Sequence, residues 1–508
     1  MVSAALTLDG QPLTLDDVEA VARHGRQVGL GESARKAIDA ARRVIDEAAT
    51  AERPIYGVNT GFGSLSTHRI EPDAVRDVQR NLIRSHSAGV GDPLPDAIVR
   101  GMLLILAASL SRARSGVRSD VVQGILDLLN HGIVPVVPSR GSVGASGDLA
   151  PLAHAALVLT GEGEARTEGT IRPGSEALAA AGLSPLALEA KEGLALINGT
   201  HLMTSMGAMA LCDVKRLLGA ALAAAAMAID ACRATDAFLD ERLHHARNQP
   251  GQVRVAGILR RALAGSQIIE SHKEGDPRVQ DPYGLRAAPQ VLGATLDAIG
   301  FVEAVFEREL GAVTDNPLVF PDSGDIRSGA NFHGMPLAIA LDLLTISLCH
   351  VAGIAERRTD WLLRACDPQN PVNESLSPQP GLHSGLMITQ YTAAACCNEL
   401  RTLSTPASVS NIPTSAGMED YNAMGVTAGH QARAAVDLAT DVIAIELLVM
   451  AEAMEYQRPL QSGRGVERTY AMVRSIVPRL TADRPPAPDI AAIARLIRDG
   501  AFGTDEPA

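Results

Sequence analysis

Apolar residues recur at helical spacing along most of the chain, and many of these stretches contain no proline. Within the first 200 residues the spacing predicts helices over 33–50, 74–87, 96–113 and 119–130. Ser119 is expected to cap the last of these helices and Gly132 to end it. Farther on, longer proline-free stretches cover 200–234, 337–364, 383–404 and 426–457. The last would be about 48 Å long as one helix. Long helices rich in alanine and leucine are typical of a bundle.

Shorter elements are expected between and around these helices. The residues around Asp9-Gly10 predict a β-hairpin, and Thr14 with Asp17 predicts a capping box on the first helix. Residues 243–286 are polar and expected to be rich in loops, and 460–508 to return to short helices. We therefore predict an all-α fold with a long-helix bundle core and a smaller, loop-containing N-terminal region. The predicted regions are 1–200 and 201–508, separated by a change of helix length.

The amino-acid composition and the net charge favour some classes of protein over others. Of the 508 residues, 46% are hydrophobic but only 3% aromatic, which favours helix over sheet. The net charge of −13, with both signs interspersed, argues against nucleic-acid binding. Six cysteines without a CxxC spacing indicate reduced thiols. The start of the chain does not resemble a signal peptide, and the longest apolar run is shorter than the roughly 20 residues that span a bilayer. A cytoplasmic protein without a membrane partner is expected.

The most informative segment reads Gly-Ala-Ser-Gly-Asp and ends at Asp148. The amide nitrogen of Gly147 carries no neighbouring Cβ and can attack the carbonyl carbon of Ala145. Loss of the Ser146 hydroxyl, with a second dehydration, then gives 4-methylidene-imidazol-5-one, an electrophile that no ordinary side chain provides. Asp148 is expected to cap the helix that follows. Taken alone, Ala-Ser-Gly is also typical of an ordinary loop.

With its flanks, the sequence GSVGASGDLAPLAH resembles the prosthetic-group loop of the aromatic amino acid ammonia-lyases and aminomutases. The resemblance extends from Tyr56 to Pro459 through at least six segments in the same order. It implies that Ala145, Ser146 and Gly147 form the electrophile and that the reaction needs no metal or nucleotide. It also implies a homotetramer whose active sites draw on more than one subunit.

Two segments of this resemblance carry further catalytic residues. The sequence YGVNTGFG, from Tyr56 onward, is similar to the family's active-site lid, which implies that Tyr56 removes the β-proton of the substrate. A phosphate-binding loop is the alternative, but no Lys-Ser/Thr follows the glycines. The sequence KEGLALINGT contains Asn198, which the resemblance makes a partner of the prosthetic ring or of the amine. Read alone, Asn198 would be a helix cap or turn residue.

Four further predicted site residues come from two later segments. In QDPYGLR the resemblance implies that Gln280 and Tyr283 hydrogen-bond around the ring and substrate. It implies that Arg286 clamps the α-carboxylate, for which its planar fork is suited. A surface turn with an arginine is the alternative reading. In NFHG it implies that Phe332 packs beside the prosthetic ring.

The nature of the substrate depends on two residues. His86, in a Ser-His pair, and Glu419 resemble the histidine-specific branch of the family. A carboxylate pairs naturally with an imidazole. The resemblance therefore implies elimination of ammonia from an L-amino acid, L-histidine to trans-urocanate. A histidine or tyrosine 2,3-aminomutase, a tyrosine ammonia-lyase and a non-catalytic helical scaffold remain alternatives. His86 could also be a core histidine, and Glu419 a charge at a helix start.

Overall fold

The computed structural model describes residues 4–51, 54–61, 69–71, 74–365 and 367–503, and the chain divides into two compact units. The first unit consists of Met1–Cys212, Glu303–Asp342 and Pro406–His430. The second consists of Asp213–Val302, Leu343–Thr405 and Gln431–Ala508. The chain therefore returns to the first unit twice after leaving it, whereas the sequence predicted one division at residue 200.

Helices dominate the described residues, in agreement with the predicted all-α class. In chain order they are α1 (Leu15–Ala22), α2 (Glu32–Ala49), α3 (Val75–His86), α4 (Asp96–Ser111), α5 (Ser119–Asn130), α6 (Leu149–Leu159), α7 (Gly174–Ala180), α8 (Glu192–Ile197), α9 (His201–Ala231), α10 (Glu241–Arg247), α11 (Pro250–Leu263), α12 (Gln267–His272), α13 (Tyr283–Arg286), α14 (Ala288–Glu309), α15 (Met335–Leu363), α16 (Met387–Leu403), α17 (Gly425–Gln457), α18 (Arg464–Arg474) and α19 (Ala487–Arg498). Single turns of 3-10 helix lie at Ala237–Leu239, Glu374–Leu376 and Ser415–Gly417.

The strands are short and form four small sheets in the described residues. They are β1 (Leu6–Leu8), β2 (Val28–Leu30), β3 (Val90–Pro93), β4 (Val134–Pro135), β5 (Pro138–Arg140), β6 (Glu164–Thr167), β7 (Thr170–Pro173), β8 (Leu318–Phe320) and β9 (Asp325–Arg327). The pairs β3-β5, β4-β6-β7 and β8-β9 are antiparallel, and β1-β2 is parallel. These sheets order the loops between helices.

Most of the predicted helices are confirmed. The four early segments appear as α2 to α5, the four long proline-free stretches as α9, α15, α16 and α17, and the tail as α18 and α19. The capping box is present, with Asp17 N donating to Thr14 Oγ1 at 3.1 Å. Ser119 is the first residue of α5 instead of its cap, a position that Arg118 takes without a side-chain bond. Gly132 adopts a φ of +65° just after the helix, as expected of a terminating glycine.

The predicted N-terminal hairpin is wrong. Strand β1 pairs in parallel with β2, Leu6 opposite Val28, and helix α1 provides the crossover. Leu8 and Val28 are both 3% exposed. Pairing with β2 therefore buries apolar residues of both strands, which favours β2 as the partner over a nearby return strand. Pro12 lacks the N–H that a hairpin ladder would use on the return strand.

The prediction that residues 243–286 are loop-rich is also wrong. Most of this segment is helical, in α10 to α13. Pro250 occupies the first turn of α11, where its missing N–H has no consequence. Val255, Leu259 and Leu263 form a buried stripe four residues apart, while polar residues cover the outer face. The prediction of loops relied on the polar composition of the segment. That composition reflects the exposed face of the helix, not the absence of a helix.

Three short helices of the first unit bring the candidate residues into one neighbourhood. Helices α3, α6 and α8 pack against one another. His86 ends α3, the Ala-Ser-Gly segment precedes α6, and Asn198 follows α8. The packing of these three helices therefore assembles segments that are far apart in the chain.

Two helices of the described residues, α14 and α15, are long and apolar enough to cross a membrane by length and composition alone. In their most apolar 18-residue windows, 44% and 67% of the residues are buried inside the structure. The core helices of globular proteins meet the same criterion.

Candidate active site

The Ala-Ser-Gly segment lies between β5 and α6, and its glycine is packed against the residue after Asn198. Gly147 has a φ of +71° and forms an isolated parallel bridge with Gly199. A Cβ at Gly147 would lie 2.1 Å from the Gly199 oxygen, so only glycine fits. Ala145 is 4% exposed and Ser146 is half-buried. The structure thus holds the three predicted residues in a rigid loop and leaves the Gly147 nitrogen without a side chain beside it.

Asp148 anchors this loop in a way the sequence did not predict. It precedes α6, but its side chain makes no cap bond to that helix. Its Oδ2 instead accepts hydrogen bonds from Leu202 N at 2.9 Å and Met203 N at 3.0 Å, at the start of α9. Burial raises the pKa of Asp148 to about 7, opposed by these bonds and by one from Ser142 Oγ. The prediction that the Asp148 side chain caps α6 is therefore wrong, because its carboxylate binds the first amides of α9 instead.

Two other segments hold the residues just before the tripeptide. Gly334 N donates to the Gly144 oxygen at 3.0 Å. Ala423 N and Met424 N donate to the Val143 oxygen at 3.1 and 2.9 Å. The loop is therefore bonded to the segments that carry Phe332 and Glu419, so that distant parts of the chain converge on it.

Glu419 reaches the central residue of the tripeptide. Ser146 Oγ donates to Glu419 Oε1 at 2.5 Å, and Thr414 Oγ1 donates to Glu419 Oε2 at 3.1 Å. The backbones of Thr414 and Glu419 bridge, with Thr414 N donating to the Glu419 oxygen at 2.9 Å. Between them Ser415 and Ala416 have φ values of +52° and +53°, which is costly for residues other than glycine. This strained turn fixes the carboxylate against Ser146.

Asn198 presents one satisfied and one unsatisfied polar atom. Its Nδ2 donates to the Asn316 oxygen at 3.1 Å. Its Oδ1 is buried and has no hydrogen-bond partner within the described residues. An unpaired buried acceptor is costly, so such an atom commonly serves a ligand or reacting group. It lies one residue before Gly199, the glycine that packs on Gly147.

A buried ion pair that the sequence analysis missed supports this region. Lys191 Nζ and Asp315 Oδ2 are 2.6 Å apart, and their side chains are 0% and 2% exposed. Burial lowers the pKa of Lys191, against the opposing effect of Asp315. Thr314, the neighbour of Asp315, accepts a hydrogen bond from Thr200 N at 3.3 Å. The sequence shows a lysine just before α8 and an aspartate in a Thr-Asp-Asn turn. It does not show that these two side chains meet, because the contact depends on the fold.

The neighbouring His201 is buried, and Glu309 is half-buried. Burial, with the charge of Arg112, lowers the pKa of His201 to about 3, so its ring is neutral. Both ring nitrogens of His201 lack hydrogen-bond partners within the described residues. Burial raises the pKa of Glu309, and Thr200 Oγ1 donates to it at 2.5 Å. Neither residue was predicted from the sequence to belong to the site.

Three other predicted site residues lie in the first unit, namely Tyr56, His86 and Phe332. Tyr56 is half-buried in a turn in which Ile55 N donates to Asn59 Oδ1 at 2.7 Å. The last two residues of the predicted lid, 62 and 63, lie outside the described residues. His86 Nδ1 hydrogen-bonds at 2.9 Å to the Leu82 oxygen of its own helix. Phe332 is half-buried, two residues before the glycine that binds Gly144.

Gln280, Tyr283 and Arg286 belong to the second unit. Gln280 is exposed, and Tyr283 is 72% exposed. The Arg286 guanidinium carbon lies 4.3 Å from the centre of the Tyr283 ring, a cation–π contact. Arg286 Nε is buried without a hydrogen-bond partner in the described part of the chain. Tyr283 and Arg286 lie in α13 and Gln280 lies three residues before it, and these three residues are called the polar group around α13.

The cysteines of the described residues form no disulfide bonds. Cys212, Cys232, Cys349, Cys396 and Cys397 are free thiols, and Cys366 lies outside the described residues. Burial raises the pKa of Cys397 to about 12, which makes it a poor nucleophile. Among the described side chains, no three histidine, cysteine or acidic groups lie close enough to share a metal ion.

Comparisons with known proteins show what the chain as a whole is similar to. The family model for aromatic amino acid lyases matches residues 13–475. A relative named histidine ammonia-lyase, from Deinococcus radiodurans, is 50% identical over 94% of this chain and 91% of its own length. The crystal structure of histidine ammonia-lyase from Trypanosoma cruzi has a TM-score of 0.90 at 38% identity, covering 98% of this chain and 94% of that one. That of tyrosine aminomutase from Streptomyces globisporus has a TM-score of 0.92 at 33% identity, covering 99% and 100%.

Proposed function

The chain belongs to the aromatic amino acid lyase family, and we propose that it eliminates ammonia from L-histidine to give trans-urocanate. The observation that carries the proposal is the 2.5 Å hydrogen bond between Ser146 and Glu419. It puts a carboxylate beside the residue expected to become the electrophile. A carboxylate suits the N–H groups of an imidazole better than the ring of phenylalanine or tyrosine. The names of the bacterial relatives support the same substrate.

Ala145, Ser146 and Gly147 fit a 4-methylidene-imidazol-5-one group made from the chain itself. The contact with Gly199 excludes any side chain at Gly147, whose nitrogen would close the ring. The buried, unpaired Oδ1 of Asn198 is an acceptor available to the ring or to the substrate amine. The group supplies an electrophilic carbon that makes the substrate amine a better leaving group.

The side chains of the first unit would bind the substrate and move its proton. The Thr414 hydroxyl orients Glu419 by a hydrogen bond of 3.1 Å. Glu419 accepts a hydrogen bond from the imidazole of the substrate, and His86 contacts the same imidazole. Tyr56 takes the β-proton, and since a phenol has a pKa of about 10, nearby positive charge or donors must favour its ionised form. The C–H electron pair becomes the new double bond, and the C–N pair leaves with the nitrogen. The products are urocanate and ammonia.

The polar group around α13 would complete the site from another copy of the chain. Tyr283 is 72% exposed and Arg286 stacks on it, an arrangement that presents the guanidinium for a ligand carboxylate. In this proposal Arg286 clamps the α-carboxylate, Gln280 and Tyr283 hydrogen-bond around ring and substrate, and Phe332 packs beside the ring. A homotetramer with shared active sites, in the cytoplasm and without nucleic-acid or membrane partners, is part of the same proposal.

A 2,3-aminomutase is the second candidate function. The structural similarity to a tyrosine aminomutase favours it, because that protein shares almost the whole fold with this chain. An aminomutase would use the same base and carboxylate clamp but return ammonia to the β-carbon. The retention or release of ammonia therefore distinguishes the two activities.

The test is to incubate the purified full chain with L-histidine and, separately, L-tyrosine, and to identify the products by NMR. We expect urocanate and free ammonia from L-histidine only. The variant Ser146→Ala, checked for folding by circular dichroism, should give neither product. A β-amino acid would instead establish an aminomutase, and turnover of tyrosine alone would overturn the substrate assignment.

A further inference from the structure

A cavity in the second unit lies away from every residue assigned above. It is about 410 Å³ in volume and is formed by the second half of α9, by α11, by α18 and by the residues after α19. Leu222, Ile258, Met472 and Phe502 give it an apolar lining. Small-molecule sites commonly have volumes of about 300–1,000 Å³ and largely apolar walls. Size and lining therefore suit a small organic ligand.

Three arginines line the same cavity. Arg261 lies in the last turn of α11, and Arg464 and Arg468 lie four residues apart on one face of α18. All three are exposed to solvent. Arg261 and Arg468 have interaction partners of their own, whereas Arg464 makes no ion pair within the described residues. None of the described residues that line the cavity is acidic. The positive charge of these arginines stands in a chain with a net charge of −13, and positive charge at a cavity attracts anions.

Close packing of two helices brings the arginines together. A Cβ at Gly465 would lie 2.7 Å from Ala262 Cα, so the first turn of α18 approaches the last turn of α11 more closely than other residues allow. Gly463, just before α18, would likewise collide with the Leu263 backbone at 2.3 Å. The arrangement therefore depends on the backbone and not only on flexible side chains. The N-terminal end of α18 adds a partial positive charge beside Arg464.

We propose that this cavity binds a small carboxylate that has an apolar body. The apolar lining removes the body from water, while the Arg464 guanidinium binds the carboxylate at the mouth of the cavity. Arginine suits this role because its planar fork makes paired, charge-assisted hydrogen bonds with carboxylates. Neither charge nor apolar surface alone suffices, so an inorganic anion and a neutral alcohol bind weakly.

Octanoate is a suitable probe, because it joins one carboxylate to an apolar chain. Its binding to the full-length protein is measured by isothermal titration calorimetry, beside inorganic phosphate and 1-octanol. We expect saturable binding of one octanoate per chain, weaker at high salt, and at least tenfold weaker binding of the other two. Arg464→Gln should lower the affinity for octanoate about tenfold, as expected for loss of one charged hydrogen bond. Ala223→Met, which fills the cavity without changing charge, should weaken it as well.

The matched control is Arg247→Gln, which removes one positive charge from an exposed position at the end of α10. It should bind octanoate as the unchanged protein does. Equal affinity in the Arg464→Gln and Arg247→Gln proteins would overturn the proposal, and so would binding that does not saturate. If octanoate binds only after residues 504–508 are deleted, the cavity serves the chain's own end and the proposal is also wrong.

Discussion

The stability of the protein should depend on pH through Asp148, and Asp148→Asn should remove that dependence. Burial raises the pKa of Asp148 from 3.8 to about 7 in the folded chain. A carboxyl group with a raised pKa favours folding when protonated, so its contribution is complete below about pH 4 and is lost as pH rises through 7. At about 1.4 kcal/mol per pKa unit, the loss amounts to about 4 kcal/mol. Asparagine has the same shape and an oxygen for Leu202 N and Met203 N, but it does not ionise.

The assay compares urea unfolding of the unchanged protein and Asp148→Asn at pH 5 and pH 8. Other titrating groups are shared and cancel in the difference between the two proteins. The variant should gain stability relative to the unchanged protein between pH 5 and pH 8, by about 2–3 kcal/mol. Hydrogen exchange at the start of α9 should show the same trend, since the carboxylate binds its first amides. A difference that is constant with pH, or of opposite sign, would refute the reasoning.

Three further outcomes follow from the site. Glu419→Gln keeps the shape but loses the charge beside Ser146, and kcat/KM for L-histidine should fall about 10- to 100-fold; an unchanged value would remove the basis for the substrate assignment. Tyr56→Phe should lower kcat at least about 100-fold with little change in KM, as loss of a proton acceptor does, and steady-state kinetics with equal effects on both parameters would contradict this. Lys191→Met leaves a buried charge on Asp315 and should destabilise the fold by about 3–5 kcal/mol in urea unfolding. The double variant Lys191→Met/Asp315→Leu should recover most of this loss, and no recovery would show that the ion pair is not the cause.

The helices and the electrophile-forming segment could be predicted because their signals are local. Apolar spacing, a capping box and the Ala-Ser-Gly run are each readable within a few residues. The contact between Ser146 and Glu419 joins positions 273 residues apart, and no periodicity indicates such a pair. Only the resemblance to a family suggested that both belong to one site.

Errors occurred where a local signal competed with a distant partner. Asp9-Gly10 is a good hairpin turn, yet β1 pairs with β2 because that pairing buries both strands. Asp148 precedes α6, yet its carboxylate binds amides 54 and 55 residues away, at α9. In both cases packing at long range outweighed a local preference. The Lys191–Asp315 pair, 124 residues apart, was missed for the same reason.

The central claim is that residues 145–147 condense into an electrophile, and intact mass spectrometry tests it most directly. Freshly purified full-length protein is compared with Ser146→Ala, so that processing at the chain ends affects both equally. Once the mass of the substitution itself is subtracted, the unchanged chain should be lighter by two water molecules. Equal corrected masses would contradict the account, because an intact Ala-Ser-Gly segment has no electrophile with which to release an amine.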